Sequence, residues 1–203
     1  MATQQAPTRR AVRHERTRAA LIDAAWDLAR EGGLASVSQR ALADRVGLAQ
    51  PSLYTYFSSK NDLYDALFAS GNAELVEYME SLELPSDPAA AVKFAAQRVV
   101  EFCVEDDVRY QLLFQRTLPG FVPSEAAYEL ATRFYELMRR ILKRAGVRTQ
   151  AQMDVFVALC AGLSEAQLAN DPGGNRWTRQ LDWVVDMFLT EVARQNKAAG
   201  RSR

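Results

Sequence analysis

Apolar residues recur at helical spacing along almost the whole chain, and no stretch alternates strictly between apolar and polar residues as an exposed strand does. Glycine and proline divide this pattern into separate segments, at Gly32 and Gly33, at Gly47, and in the irregular stretches 118–123 and 170–175. The pattern therefore predicts an all-α fold of about nine helices. The expected helices cover residues 10–31, 39–46, 50–56, 59–82, 88–105, 107–117, 124–145, 149–170 and 176–195.

The second and third of these helices are short and are joined by a tight turn at Gly47. Ser38 is a favourable N-cap for the second helix, and Pro51 lies in the first turn of the third, where its missing N–H costs nothing. Together with the helix before them they fit a helix-turn-helix, whose second helix enters the major groove of DNA. An ordinary helical hairpin in a bundle is the alternative reading of the same pattern.

Charge is distributed unevenly although the formal net charge of the chain is zero. Residues 1–60 hold nine lysines and arginines against five acids, a net charge of +4, and the remainder holds 16 against 20, a net charge of −4. A basic head on an acidic body is typical of a protein whose one end meets a polyanion. A protein with an uneven surface charge and no such partner would show the same asymmetry.

Few residues of the chain are suited to catalysis or to metal binding. His14 is the one histidine, so a histidine-based metal site is not expected, and neither is a cofactor. Cys103 and Cys160 lie among apolar residues, which predicts buried free thiols. No nucleophile has a recognisable base beside it, so we do not expect an enzyme. The absence of a secretory signal or a membrane-spanning apolar run predicts a cytoplasmic protein.

The stretch from Ala41 to Lys60, ALADRVGLAQPSLYTYFSSK, resembles the N-terminal signature of the TetR family of transcriptional regulators. It has an alanine-rich second helix, a glycine turn, a Leu-Tyr pair in the recognition helix, a terminal Phe and a Ser-Lys that opens the fourth helix. The resemblance covers residues 14–68 and implies a DNA-binding domain over 1–59. It also implies a C-terminal ligand-binding and dimerisation domain over 60–203, with 60–82 as the connecting helix. Residues 110–121 are similar to an actinobacterial-type subgroup of such C-terminal domains.

The resemblance also implies which residues contact double-stranded DNA. Arg40 would reach a guanine, Gln50 would read an adenine and Pro51 would pack on a thymine methyl group. The other implied contacts hold the phosphate backbone or lie on the outer side of the recognition helix: Ser38, Ser52, Tyr54, Thr55, Tyr56 and Lys60. Ala49 departs from the usual Ser or Thr, which removes an N-cap and a phosphate contact.

We therefore expect a regulator, and more specifically a repressor that a small, mostly apolar effector releases from a palindromic operator. The expected ligand site is a pocket of aromatic residues and one methionine, with Arg98 and Arg133 as orienting groups; these lining residues could equally be core: Phe94, Phe102, Tyr110, Phe114, Phe121, Tyr128, Phe134, Tyr135 and Met138. The expected homodimer interface lies on the last two helices, at Phe156, Val157, Cys160, Leu163, Leu181, Val184, Val185 and Phe188. The alternative function is a helical protein-interaction module without a ligand response.

Overall fold

A computed structural model describes residues 8–201, and within this range the chain forms nine α-helices and no strand. The helices are α1 (Arg9–Gly32), α2 (Gln39–Val46), α3 (Gln50–Leu53), α4 (Lys60–Glu80), α5 (Pro88–Glu105), α6 (Asp107–Phe114), α7 (Glu125–Arg144), α8 (Gln150–Asn170) and α9 (Leu181–Arg201). Short 3₁₀ turns lie at Leu34–Ser36 and Thr178–Gln180. The expected all-α fold is confirmed. None of the helices described is both long enough and apolar enough to cross a membrane.

Local capping explains where several helices begin and end. The Ser38 hydroxyl accepts a hydrogen bond from the Ala41 N–H at 3.1 Å, as predicted for the start of α2. Gly47 ends α2 in the left-handed region, at φ +68°, which residues with a side chain rarely adopt. At the start of α8, Thr149 and Gln152 form a reciprocal capping box. These helices begin where the sequence predicts because each cap is a contact between near neighbours.

Three helices differ from their predicted bounds by three residues or more, and one of them is α6, which was predicted to reach residue 117 and ends at Phe114. The helix predicted over 50–56 ends at Leu53, because residues 54–56 form turns in which the Tyr56 N–H donates to the Leu53 carbonyl at 2.9 Å. The last helix begins later than predicted, at Leu181, and continues to Arg201 instead of ending at residue 195. The Asn196 amide donates to the Gly146 carbonyl at 2.8 Å, and lysine and alanine then continue the helix.

The chain divides into two compact units. The first, here called the head unit, comprises the residues up to Gly71 together with Gln111–Ala127; the second, the body unit, comprises Asn72–Tyr110 together with the residues from Tyr128 onward. The boundary at Gly71 lies inside α4. The boundary expected between residues 59 and 60 divides DNA binding from ligand binding, and it differs from the boundary between the compact units at Gly71. It stays a prediction.

The core of the head unit joins α1 to the two helices that follow it and to the start of α4. Fully buried apolar side chains include Ala25, Leu42, Leu53, Phe57 and Leu63. Two hydrogen bonds reinforce this core: the Trp26 Nε1 donates to the Ser70 hydroxyl at 3.0 Å, and the Tyr64 hydroxyl donates to the Leu34 carbonyl at 2.9 Å. The three-helix head is thereby anchored on the first half of α4.

In the body unit, α5 packs against both α8 and α9. Val92 and Val100 of α5 and Val185 of α9 are buried there, with Leu142 of α7. An ion pair between Lys93 and Asp186, at 2.7 Å, also joins α5 to α9. The inner sides of α8 and α9 are therefore occupied within a single chain.

Candidate nucleic-acid interface

The α2 and α3 helices are held together by apolar packing and by one buried polar contact. Leu42, Leu53 and Phe57 have no exposed surface. The Gln39 side chain is buried, and its amide donates to the Phe57 carbonyl at 2.6 Å. This contact links the first turn of α2 to the residues that follow α3. It therefore helps to fix the orientation of α3 relative to α2. Sequence reasoning missed Gln39, because its partner lies 18 residues away.

The outer side of α3 carries the side chains that were predicted to read bases. Gln50, Pro51 and Ser52 are all exposed. The Gln50 amide has no hydrogen-bond partner among the described residues, and Tyr54, directly after the helix, is 50% exposed. An unpaired amide on a short exposed helix can donate to and accept from the edge of a base, as glutamine does with adenine in the major groove.

The start of α3 has no side-chain cap. Ala49 occupies the N-cap position and makes no capping hydrogen bond through its side chain, as its identity predicts. The helix begins instead with Pro51 in its first turn and a hydrogen bond from the Ser52 N–H to the Ala49 carbonyl at 2.8 Å. The first turn of α3 is thus supported by backbone contacts and by Leu53 in the core.

The remaining predicted DNA contacts surround α3 on neighbouring elements. Arg40 is exposed on α2, and Lys60 is exposed at the start of α4, with its Nζ 3.5 Å from the Ala35 carbonyl. The Thr55 hydroxyl donates to the Ser52 carbonyl at 2.7 Å. The Tyr56 ring stacks on His14 of α1, with a centroid distance of 4.6 Å and an interplanar angle of 20°. The Tyr56 contact brings α1 next to the end of the recognition helix.

The basic charge of the head is divided between paired and unpaired arginines. Arg30 pairs with Asp27 at 3.3 Å, and Arg45 pairs with Glu31. The hydrogen bonds from Arg45 hold the pKa of the Glu31 carboxyl below its usual value. The arginines of the first three turns of α1 are different, because none of them has an ion-pair partner among the described residues: Arg9, Arg10, Arg13, Arg16 and Arg18. The sequence shows the total charge of the head but not this division.

The predicted ligand residues are divided between the two units. Phe114 and Phe121 belong to the head unit and the other seven to the body unit. Several already pack inside their own unit: Phe121 meets Tyr64 and Phe68 edge-on, at 5.8 and 6.3 Å between ring centroids. Phe102, Tyr110 and Met138 are buried, Phe94, Phe134 and Tyr135 are half-buried, and Phe114 and Tyr128 are exposed. Their role in a pocket stays a prediction.

Two cavities lie in the body unit. The larger, about 510 Å³, lies between α4 and α7 and is lined by Ala73, Val76, Glu77, Glu80, Ser81, Leu130 and Arg133. Arg133 forms a forked ion pair with Glu80 at its wall, with distances of 2.6–3.1 Å. The smaller, about 260 Å³, is bordered by α7 and α8 and is strongly basic; its lining includes the predicted ligand residue Tyr135 with Arg139, Lys143 and Arg148. The predicted aromatic residues do not line the larger cavity.

The predicted dimer residues lie mostly on the inner sides of their helices. Phe156, Leu181, Val185 and Phe188 are buried in the body unit, and the rings of Phe156 and Phe188 lie 5.5 Å apart. Cys160, Leu163 and Val184 are half-buried, and Val157 is exposed. The four buried side chains pack inside a single chain, and the dimer interface itself stays a prediction. The exposed apolar side chains of α8 and α9 are Val155, Val157, Trp183 and Met187, between 46% and 61% exposed.

The two cysteines of the body unit are protonated at neutral pH. Cys103 and Cys160 are free thiols, and burial raises the pKa of each to about 12, so neither forms a thiolate under ordinary conditions. Cys103 is buried, as the sequence predicts, and Cys160 is half-buried. Residues 8–201 contain no group of histidine, cysteine and acidic side chains that could hold a metal ion.

Comparison with known proteins identifies the three-helix head. The sequence profile described as bacterial regulatory proteins, tetR family, matches residues 21–67. The HTH-type transcriptional activator FasR of Mycolicibacterium smegmatis is 31% identical over 99 residues, 48% of this chain and 45% of FasR. The class A tetracycline repressor protein from transposon 1721 of Escherichia coli is 44% identical over 54 residues, 27% of this chain and 25% of the repressor. The chain thus spans less than half the length of these two relatives.

A solved structure extends the likeness to most of the chain. The transcriptional regulator FadR from Bacillus subtilis, crystallised in complex with stearoyl-CoA, has a TM-score of 0.67 and 15% sequence identity. The match covers 83% of this chain and 96% of FadR. At this identity the likeness concerns the fold: a helix-turn-helix head and a helical C-terminal region.

Proposed function

We propose that this chain is a helix-turn-helix transcriptional regulator of the TetR family, and that it is a repressor that binds a palindromic operator through α3. The observation that carries this proposal is the exposed side of α3, where Gln50, Pro51 and Ser52 face outward on a helix that is fixed by a buried core. Of the two relatives, the tetracycline repressor has the higher identity, in a stretch of 54 residues, which favours repression over activation.

Recognition follows from the chemistry of these side chains. The Gln50 amide donates to the N7 acceptor and accepts from the N6 amino group of an adenine, and Pro51 contacts the methyl group of a thymine. Arg40 has the planar fork that suits the O6 and N7 of a guanine. Tyr54 and Lys60 hold phosphates and fix the position of α3 along the groove. One helix of this length reads only a few base pairs, so two copies are needed for useful specificity.

The second copy is a second molecule of this chain, docked on the exposed sides of α8 and α9. Trp183 and Met187 are four residues apart and share one exposed face of α9. On α8, Val155 is exposed, and a Cβ added at Gly162 would meet nothing within 4 Å, so a partner helix can approach the backbone closely there. Large exposed apolar side chains beside small residues are typical of a helix-helix interface.

The effector is a ligand with an apolar body and one acidic group, and it binds in the body unit. The cavity of about 510 Å³ is in the size range of small-molecule sites and has Val76 and Leu130 in its wall. Arg133 would hold the acidic group in place of its present partner Glu80. Four of the seven lining residues belong to α4, the helix whose first turn follows the DNA-reading segment. Binding would act on the head through α4.

The test of DNA binding is selection from a pool of random duplexes, followed by sequencing of the bound fraction. The wild-type chain should enrich a palindrome with half-sites about one helical turn apart. Gln50→Ala should retain the fold and lose preference at one base pair of each half-site, at a cost of about 1–3 kcal/mol. Enrichment of the same sequence by Gln50→Ala would contradict its reading role, and no enrichment by the wild type would contradict the proposed function.

A further inference from the structure

The first three turns of α1 are helical although none of their side chains is fully buried. The helix begins at Arg9, its first buried side chain is Leu21, and every residue between them is exposed or half-buried. At a rise of about 1.5 Å per residue, this is roughly 18 Å of helix that adds no buried side chain to the core. Packing in the head unit therefore does not explain the sequence of this segment.

The charge of this segment is what sets it apart. Residues 9–18 contain five arginines and one acid, Glu15. Elsewhere in the head, Arg30 and Arg45 are neutralised by Asp27 and Glu31, but the five arginines of this segment have no ion pair among the described residues. Residues 9–18 alone thus have a net charge of +4, as large as that of residues 1–60 together.

Two aromatic contacts fix this segment beside the recognition helix. His14 stacks on Tyr56 at 4.6 Å, and the Arg18 guanidinium lies over the Phe57 ring at 5.4 Å. Arg10, His14 and Arg18 are spaced four residues apart and so share one face of α1. Arg10 lies one turn before His14, the residue that stacks on Tyr56.

We propose that the first three turns of α1 form a second DNA-contacting element, in which Arg9, Arg10, Arg13 and Arg16 bind the phosphate backbone that flanks the base pairs read by α3. Charge complementarity selects the partner, because unpaired guanidinium groups on an exposed helix meet the regular negative charge of a duplex. The stacking of His14 on Tyr56 sets the orientation of this segment relative to the end of α3. This proposal rests on the proposed function and adds to it a contact that carries affinity but no base preference.

The test compares two full-length variants that lose the same charge. Arg9→Gln/Arg13→Gln/Arg16→Gln removes three arginines of the segment, and Arg140→Gln/Arg148→Gln/Arg179→Gln removes three exposed arginines of the body unit that form no ion pair among the described residues. Binding to the selected operator is measured over a range of salt concentrations. Both variants are exposed-surface changes, and circular dichroism melting checks that their folds are retained.

The α1 variant should have a shallower log–log salt dependence, by about 0.9 for each phosphate that its arginines no longer neutralise, with an unchanged selected sequence. The body-unit variant should keep the wild-type slope. Extending the duplex beyond the selected site should strengthen wild-type binding and leave the α1 variant unaffected. Equal slopes for the α1 variant and the wild type would overturn the proposal while leaving the proposed function intact, and so would a changed base preference at an unchanged slope. A wild-type chain that binds no DNA would overturn both.

Discussion

At the scale of single residues, the interface depends on a side chain that touches no DNA in the proposed mode of binding. Gln39 is buried, and its amide donates to the carbonyl of Phe57, directly after the turns that follow α3. When a buried carbonyl loses its hydrogen-bond donor, the free energy of its desolvation is no longer offset, and the folded state is destabilised. Gln39 therefore acts as a positioning residue for Tyr54 and Tyr56 as well as a part of the core.

Gln39→Leu should lower the free energy of unfolding by about 1–3 kcal/mol, because the Phe57 carbonyl would be buried without this donor. It should also weaken operator binding while the selected sequence stays the same, since the reading side chains are intact. Chemical denaturation and operator titration measure the two effects. Asp44→Ala, an exposed change on the same helix, is the control and should alter stability by less than about 0.5 kcal/mol. Equal stability of Gln39→Leu and the wild type would contradict the positioning role.

The residues that sequence reasoning found are those whose partners are close in the chain. Ser38 and Thr149 cap helices through contacts three residues away, so their roles are visible in the sequence. Gln39 could not be found in this way, because its partner depends on how α2 and α3 pack. The same holds for Arg30 and Arg45, whose charges are visible but whose neutralisation by Asp27 and Glu31 is a property of the fold.

At the scale of helices, α8 and α9 show why an interface is hard to assign from a sequence pattern. Both helices carry apolar residues on more than one side. The buried side of α9 holds Leu181, Val185 and Phe188, while Trp183 and Met187 are exposed. The expected interface included these three buried residues, because their spacing is regular and periodicity does not tell the inner side of a helix from the outer. Burial in the structure decides between them.

Met187→Glu should convert the dimer to a monomer with poor operator affinity, because it places a charge in the centre of the proposed helix-helix contact. Sedimentation velocity at micromolar concentration measures the association. Val122→Glu is the matched control, since Val122 is an apolar residue that is 80% exposed and lies outside these helices. A monomeric wild type, or a Met187→Glu variant as dimeric as the control, would contradict the interface.

At the scale of the whole molecule, the proposed DNA reading and the proposed ligand response belong to different compact units. The recognition helix lies in the head unit, and the cavity of about 510 Å³ lies in the body unit. The α4 helix belongs to both, because the unit boundary falls at Gly71 within it. A ligand changes DNA affinity only by as much as its own affinity differs between the two states of the protein.

Free octadecanoate and stearoyl-CoA are suitable probes, since both have an apolar chain and an anionic end, which is a single carboxylate in octadecanoate and several phosphates in the CoA ester. A probe that binds the cavity should weaken operator binding, and the operator should weaken probe binding by the same factor. Arg133→Gln should weaken probe binding, and Arg139→Gln on the same helix is the control outside this cavity. Probe binding that leaves operator affinity unchanged would contradict the regulatory role of the cavity, and so would the failure of both probes to bind.

The central claim is that α3 reads a particular sequence of base pairs, and equilibrium titration of two fluorescent duplexes tests it most directly. One duplex carries the selected palindrome, and the other carries the same bases in scrambled order, at the same length and salt concentration. The wild-type chain should bind the palindrome at least about 10³-fold more tightly, and Gln50→Ala should lose about 5- to 150-fold of this preference. Equal affinity of the wild type for the two duplexes would contradict it.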